Sequence, residues 1–369
     1  MNLIVALVIA SLVYIVQKRL YAKWWNRNLD VTISFEDTCV REGDASALTE
    51  VIYNGKFLPL PVFHVKFSTD RSFRFADTVT DSYYRNDVFS VLGYRKITRR
   101  LPFQTGKRGL YGIPSLNMTA RDFFMTTNFA YSRKSDAWLY VLPKRVASPE
   151  LSMFCSHLLG ELETRRNQME DPYTFRGIRE YTYGDTYGKI NWKATAKASK
   201  LMVNMYGYTS EQRVRILLNL ETNIMVKTEY LQEMSIRMAG TIAEYFLQHK
   251  VSVELVSNGI DCMTGACERV EAGMSMEHGE TIDKYLARIK ENAGIDAFMQ
   301  MVDTEIQQME EPITYVIISP YYKEDLLLKL DYMHKKHPEL HMVVPYYDIQ
   351  DKTGWRGYMQ GVEVKWNEI

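Results

Sequence analysis

The chain has 369 residues, too many for one ordinary core and enough for two domains plus an extra segment. Hydrophobic residues make up 46% and charged residues 24%, a globular composition. Lys plus Arg and Asp plus Glu balance at 45 each, which argues against a nucleic-acid coat or a polybasic surface as the main activity. The 25 Tyr and 15 Phe are read as filling β-rich cores and pleated faces rather than stacking on bases.

Residues 2–17, NLIVALVIASLVYIVQ, carry no charge, and Lys18, Arg19, Lys23 and Arg27 follow at once, interleaved with Tyr21, Trp24 and Trp25. A helix over 2–17 measures about 24 Å at ~1.5 Å per residue, short of the ~30 Å hydrocarbon core. Leu20 and Tyr21 extend the apolar span while Lys18 and Arg19 snorkel outward, and the Trp pair is expected at the interface. A cleavable signal peptide needs positive charge before its apolar run; here the charge follows it. Positive charge on the C-terminal flank predicts a single-pass anchor in the plasma (inner) membrane, N-terminus outside and bulk cytoplasmic.

From Asp30 to about Pro143 the pattern is β. DVTISFED (30–37) alternates, with Val31, Ile33 and Phe35 on one face. LTEVIYN (48–54) follows and Asn54-Gly55 marks a turn. PVFHVKFST (61–69) alternates through Val62, His64 and Lys66 on a solvent face. KITRRLPFQT (96–105) reads as a strand with a basic outer face, and WLYVLP (138–143) closes the region. Six or more short strands separated by turns predict a β-sandwich.

Beyond a connecting segment, about 147–210, strands and helices alternate. RVRILLNL (213–220) is a buried strand. A helix over about 226–249 carries Leu231, Met234, Met238, Ile242, Tyr245 and Phe246 at helical spacing. VSVELVSN (251–258), ITYVIIS (313–319) and HMVVPYY (341–347) are further strands, with helices over 279–292, 296–309 and 322–336. This alternation predicts a mostly parallel sheet covered on both faces. There is no internal repeat and no low-complexity segment.

Cys39, Cys155, Cys262 and Cys267 are scattered and read as reduced, without zinc-ligand spacing. None of the seven histidines (His64, His157, His249, His278, His334, His337, His341) sits in a catalytic motif, and no phosphate-binding loop is present. No cofactor is expected.

The segment FRGIREYTYGDTYGKINWKATAKASKLMVNMY, 175–206, has the densest pattern in the chain. Its Gly177, Arg179, Glu180, Tyr181, Gly184, Asp185, Ile190, Asn191, Trp192, Lys193, Thr195, Ala196, Lys197, Leu201 and Val203 resemble the signature of the bacterial domain-of-unknown-function 58 family. Lys107-Arg108-Gly109-Leu110-Tyr111 and Val141-Leu142-Pro143-Lys144 resemble two further family stretches. The chain departs from the family in having one N-terminal membrane helix rather than two. It also has Tyr187-Gly188 after the turn, and Asp122-Phe123-Phe124 where a longer Asp-Pro-Phe-Gly-Leu stretch is expected. The resemblance implies a von Willebrand factor A-like (Rossmann-like) C-terminal domain. The fold expected is a multi-domain α+β chain: anchor and basic flank 1–27, β-sandwich 28–146, signature 147–210 and A-like α/β domain 211–369.

Within the signature, Asp185 is expected to cap a helix and Gly184 to free the turn. Trp192 and Ile190, two apart, are expected to face different neighbouring domains. Arg179, Glu180, Asp185, Lys193 and Lys197 are placed for a charge network. Two readings stay open: a structural clasp, or a binding patch for a partner or anionic ligand. An A-type metal site needs an Asp-x-Ser-x-Ser run after the first strand; here it reads Asn219-Leu220-Glu221-Thr222-Asn223, and Pro320-Tyr321-Tyr322 stands where a later acid is expected. No Mg²⁺ is expected there, and Glu221 is left to touch a cation or a partner's basic group. The resemblance further implies an interaction module rather than an enzyme, a partner of MoxR-type AAA+ ATPases in assembly or maintenance of envelope or metallo-protein complexes. The partner surface expected is Asn219, Glu221 and Asn223 with Arg179, Glu180, Tyr181, Gly184, Asp185, Asn191, Trp192, Lys193 and Lys197. Rival readings are an envelope enzyme using the charged signature and a passive membrane scaffold; self-association stays open.

Overall fold

The structure is a computed structural model that describes residues 2–75, 84–168, 170–208, 212–221, 228–290, 296–308, 313–320, 322, 324–346 and 355–363. It is mixed α/β with several β-sheets and divides into two compact units, Met1–Lys144 and Arg145–Ile369.

The first unit begins with α1 (Asn2–Trp24), about 34 Å long at ~1.5 Å per residue. Among the described residues it is the one helix long and apolar enough to cross a bilayer. Nine strands follow: β1 (Leu29–Phe35), β2 (Cys39–Arg41), β3 (Ala45–Asn54), β4 (Leu60–Ser68), β5 (Phe73–Phe75), β6 (Tyr84–Val91), β7 (Arg95–Thr105), β8 (Gly109–Arg121) and β9 (Asn128–Leu142). They form two sheets, β1-β3-β7-β5 and β2-β9-β8-β4-β6, antiparallel except for the β2–β9 pair. Alternation decides which side chains enter the core. Val31, Ile33, Leu48, Ile52, Leu101 and Phe103 from one sheet meet Phe63, Val65, Phe67, Leu116, Met118 and Leu139 from the other in one cluster. His64, on the opposite face of β4, is half-buried and 3.0 Å from Asn86 Oδ1.

One expectation about the anchor needs correction. The helix runs past Lys18 and Arg19 and continues through Trp24. Trp25, expected with Trp24 at the interface, is instead buried in the sandwich core beside Tyr21. Trp24 is exposed, with the Arg27 guanidinium over its ring.

A small polar cluster enters this core, with Glu50 beside buried Arg85 and Asp87. Glu50 lies on the inward face of β3 between Leu48 and Ile52 and is buried. Burial pushes its carboxyl up to about 8, with the Asp87 charge adding to the effect and Arg99 and Arg85 opposing it.

The second unit starts with α2 (Pro149–Gln168), then β10 (Glu170–Glu180), the 3-10 turn η1 (Tyr187–Lys189), α3 (Trp192–Ala198) and β11 (Met202–Tyr208). There follow β12 (Arg213–Leu218), α4 (Thr228–Gln248), β13 (Ser252–Ser257), β14 (Ile260–Asp261), β15 (Arg269–Gly273), α5 (Met276–Arg288) and β16 (Ile289–Lys290). The unit ends with α6 (Ala297–Gln307), β17 (Ile313–Ile318), α7 (Glu324–Lys336), β18 (Leu340–Tyr346) and β19 (Met359–Glu363).

Six of these strands form one sheet in the order β15-β13-β12-β17-β18-β19, parallel except for the edge strand β15. Numbered within this sheet by chain position the order is 3-2-1-4-5-6, the doubly wound arrangement. Val214, Ile216 and Leu218 pack with α2, α4 and α5 on one face. Leu217, Tyr315 and Ile317 pack with α6 and α7 on the other.

The segment 147–210, read as a connecting segment that holds the signature, begins with the 20-residue helix α2. Its Leu151, Cys155, Leu158 and Leu162 make one buried stripe in the same core as α4. Arg145, just before it, grips Asp283 with two hydrogen bonds of 2.8 and 2.7 Å and also pairs with Glu244. Gly240 makes room for that guanidinium, because a Cβ there would stand 2.5 Å from Arg145 Nη1. Under the sheet, buried Arg215 bonds Glu254 at 2.7 Å and Glu305 at 2.5 Å, and Arg269 also reaches Glu254.

Candidate functional site

The signature folds as an antiparallel hairpin with a short helical insertion. β10 pairs with β11 in the register Arg179 opposite Val203 and Glu180 opposite Met202. Tyr181 N extends the ladder by donating to Leu201 O at 2.9 Å. At the end of β10 the Arg179 guanidinium holds both oxygens of Asp185, at 2.6 and 2.7 Å. Thr182 N also donates to Asp185 Oδ2 at 2.9 Å. The Arg179 hydrogen bonds, with those from Thr182, keep the Asp185 carboxyl well below the usual carboxylate range. Gly184, between them, takes φ +114°, a value that side-chain-bearing residues rarely adopt.

Asp185 therefore closes its own turn and does not cap α3, a correction to the sequence expectation. Asn191 is the cap: its Oδ1 accepts from Ala194 N at 2.9 Å, while its Nδ2 donates to Asn204 Oδ1 at 2.7 Å and ties α3 to β11. Thr195 Oγ1 accepts from Met202 N at 3.0 Å.

The expected charge network forms only in part. Arg179 pairs with Asp185, and Glu180 with Lys200 at 2.9 Å; Lys193 and Lys197 are exposed and make no ion pair with the described residues. Ile190 is buried beside Val203. Trp192, expected against a neighbouring domain, is instead 69% exposed. Tyr183 and Tyr187 are exposed too, and the half-buried Tyr181 ring stacks on Tyr187 at 6.2 Å. Tyr183 and Tyr187 were not in the predicted site. Local spacing gave no signal for them, since Tyr181 stands two residues before Tyr183 and Ile190 three after Tyr187.

The second predicted cluster lies where the sheet order reverses, at the carboxyl ends of β12 and β17, the position at which doubly wound folds bind ligands. Here it is closed. Asn219 is buried; its Nδ2 donates to Ser319 Oγ at 2.9 Å, and its Oδ1 accepts from Glu221 N at 2.9 Å and Asn258 Nδ2 at 3.2 Å. Asn258 Oδ1 accepts from Leu220 N, and Gln232 Nε2 donates to Leu220 O. The Glu221 carboxylate accepts from Phe298 N at 2.7 Å, at the start of α6, rather than facing outward for a cation or a basic partner. Burial raises its carboxyl above the usual range, and the backbone donors of Phe298 and Ala297 oppose that. These oxygens already accept from N–H donors and only one of them is acidic, so the described part of the set does not fit a divalent cation. Among the described residues, no three His, Cys, Asp or Glu side chains group as metal ligands. Asn223, the third predicted position, lies outside the described residues.

A cleft of about 710 Å³ opens elsewhere in the second unit, between α2, α7 and the segment entering β19. His157 and Glu161, one turn apart on α2, line it with His341, His334, Arg356 and Tyr358. His157 Nδ1 and His341 Nε2 stand 3.5 and 3.3 Å from the two Glu161 oxygens. The cleft gathers no group from the signature, which the enzyme reading required.

No family model matches the sequence, and no curated protein matches it. Solved structures align over parts of the chain. A CARDB domain from Pyrococcus furiosus, solved with di-metal ions, shares 13% identity over 29% of this chain and 93% of its own, with TM-score 0.19. A cohesin module of a Clostridium perfringens family 33 glycoside hydrolase shares 8% over 31% of this chain and 97% of its own, with TM-score 0.21. The Bacillus subtilis sporulation control protein Spo0M shares 9% over 42% of this chain and 58% of its own, with TM-score 0.18. Likenesses at these scores carry no argument about what the chain does.

Proposed function

We propose that this chain is a membrane-anchored protein-interaction module of the domain-of-unknown-function 58 family, with a von Willebrand factor A-like second unit. The observation that carries the interaction reading is the signature arm. Its backbone is locked by Arg179, Thr182, Asp185 and Asn191, yet it presents Tyr183, Tyr187 and Trp192 to solvent. Rigid exposed aromatics lose little entropy on binding and are the side chains on which protein interfaces concentrate their energy. The doubly wound strand order supports the A-like assignment.

Retention of α1 as an anchor, rather than its removal as a signal sequence, is supported by Tyr21 and Trp25, whose rings belong to the sandwich core. Lys18, Arg19, Lys23 and Arg27 on the C-terminal flank favour a cytoplasmic bulk. The partner class follows from the resemblance alone: a MoxR-type AAA+ ATPase, in assembly or maintenance of envelope or metallo-protein complexes.

The test is mild crosslinking in native membranes followed by affinity purification, comparing wild type with Trp192→Ala and Tyr187→Ala. Recovery of an AAA+ ATPase that falls in both variants supports the reading. Equal recovery from wild type and both variants, or no ATPase from folded, membrane-bound wild type, overturns it. The runner-up, an envelope enzyme using the charged signature, has no support from the cleft around His157, Glu161 and His341, which contains no signature residue.

A further inference from the structure

Helix α1 meets the sandwich along a single stripe. Tyr14 and Gln17 are half-buried, and Tyr21 and Trp25 are buried, at spacings that share one helix face. Tyr21 Oη donates to Pro59 O at 2.8 Å, and Trp25 stacks on Phe129 at 6.0 Å. The Tyr14 ring lies 6.4 Å from Phe124, and its hydroxyl reaches Thr126 Oγ1 at 3.4 Å. Tyr14 precedes Lys18, the first charge of the helix, by four residues, about 6 Å along the helix axis at ~1.5 Å per residue, and so lies in the apolar span close to its charged flank. The β8–β9 loop therefore stands beside the apolar part of the helix and not below it.

That loop is rigid and apolar. Buried Asp122 accepts from Thr126 N at 2.6 Å, Thr126 Oγ1 at 2.7 Å and Thr127 N at 3.1 Å, and Met125 takes φ +58°. The closed loop presents Phe123, Phe124 and Met125 to solvent. Two more connections turn at the same end, as Arg121 pairs with Val62, Leu60 with Val91 and Asn54 with Arg95. They expose Phe57, and Leu92 with Tyr94. Asn54 Nδ2 fastens both by donating to Leu58 O at 2.9 Å and Leu92 O at 3.1 Å. Single exposed hydrophobic residues are ordinary; six large ones on three fastened loops around one helix are not.

We propose that this rim is a second membrane-contact surface, seated in the headgroup and acyl boundary of the bilayer that α1 spans. The occupant is lipid because the rim is continuous with the spanning helix: the Phe124 ring touches that helix at Tyr14, within the apolar span. Exposed Lys18, Arg19 and Lys23 on α1 supply the cations that accompany such aromatic belts. The rim, with the helix root in the core, fixes how deep the sandwich sits. The inference rests on the anchor reading.

The test uses the full chain in vesicles of phosphatidylethanolamine and phosphatidylglycerol. A photoreactive benzoyl-phenylalanine replaces, one at a time, Leu7, Phe124, Leu92 and Trp138. Trp138 is exposed but lies ten residues along β9 from its rim end at Asn128. Phospholipid adducts at Phe124 and Leu92, about ten-fold or more above Trp138 and with Leu7 also labelled, are the expected result. Adducts at Leu7 without any at Phe124 and Leu92 overturn the rim and leave the anchor intact. Adducts to protein at Phe124 replace lipid with a protein occupant and overturn it as well. No lipid adduct at Leu7 overturns the anchor and the rim together.

Discussion

The signature arm and the carboxyl end of the parallel sheet carry the two predicted partner-binding clusters, and they are built in opposite ways. At the sheet end the amides of Asn219 and Asn258 turn inward and answer one another, Ser319 and the backbone. In the arm the polar groups also answer one another, but the aromatic side chains are left facing water. Buried polar groups with their partners in place need nothing further from solution, whereas exposed large aromatics have burial free energy still to gain, about 25 cal/mol per Å². The contrast moves the candidate contact surface away from Asn219 and Glu221 and onto Tyr183, Tyr187 and Trp192.

The sharpest test of the closed half lies under the same sheet. Arg215→Ala leaves Glu254 and Glu305 buried with only the half-buried Arg269 guanidinium against them, so a loss of ~3–5 kcal/mol is expected, read from the thermal and denaturant transition of the second unit. A change below ~1 kcal/mol would show that the buried network is relaxed by water.

The first unit has its own inward polar group, and it links stability to pH. Glu50 is held protonated in the fold, with its carboxyl pushed up from the ordinary 4.5 to about 8. Folding therefore takes up a proton between those values. The contribution is complete below the unfolded pKa, falls as pH rises through the window, and is gone above the folded one. Thermal melts from pH 4.5 to 8 should show the first-unit transition falling steadily across that window. The fall should be a few kcal/mol at most, since each tenfold change in proton affinity is worth ~1.4 kcal/mol, and Glu50→Gln should flatten the slope. A wild-type profile as flat as the variant's would mean that Arg85 and Arg99 already neutralise the charge.

Asn219→Asp puts a charge into the amide cluster and should cost ~1–3 kcal/mol. Millimolar Mg²⁺ should not restore the lost stability. Full rescue by Mg²⁺ would break the comparison, since it would make the sheet end a metal site one atom short. In the open half, Trp192→Ala should leave stability within about 0.5 kcal/mol of wild type while reducing partner capture. A large loss of stability instead would mean that Trp192 is core and not contact.

The alternating strands 30–37 and 61–69 and the periodic helix carrying Leu231 to Phe246 were legible because burial on one face writes itself into local spacing. The antiparallel edge strand Arg269–Gly273 was not, since an edge strand half in solvent needs no apolar alternation. Helix α2 was hidden by its polar face, although Leu151, Cys155, Leu158 and Leu162 keep helical spacing.

The sequence by itself determined the apolar span of α1, the two-faced strands, the buried strands and amphipathic helices of the second unit, and the Gly184 turn, because each depends on neighbours within a few residues. Only the tertiary structure decided that Trp25 belongs to a core and Trp192 to the surface, that Glu221 caps a helix 77 positions away, and that Phe124 stands beside Tyr14. Those outcomes depend on which distant surfaces meet, and side-chain type at one position does not encode the partner that the fold brings to it.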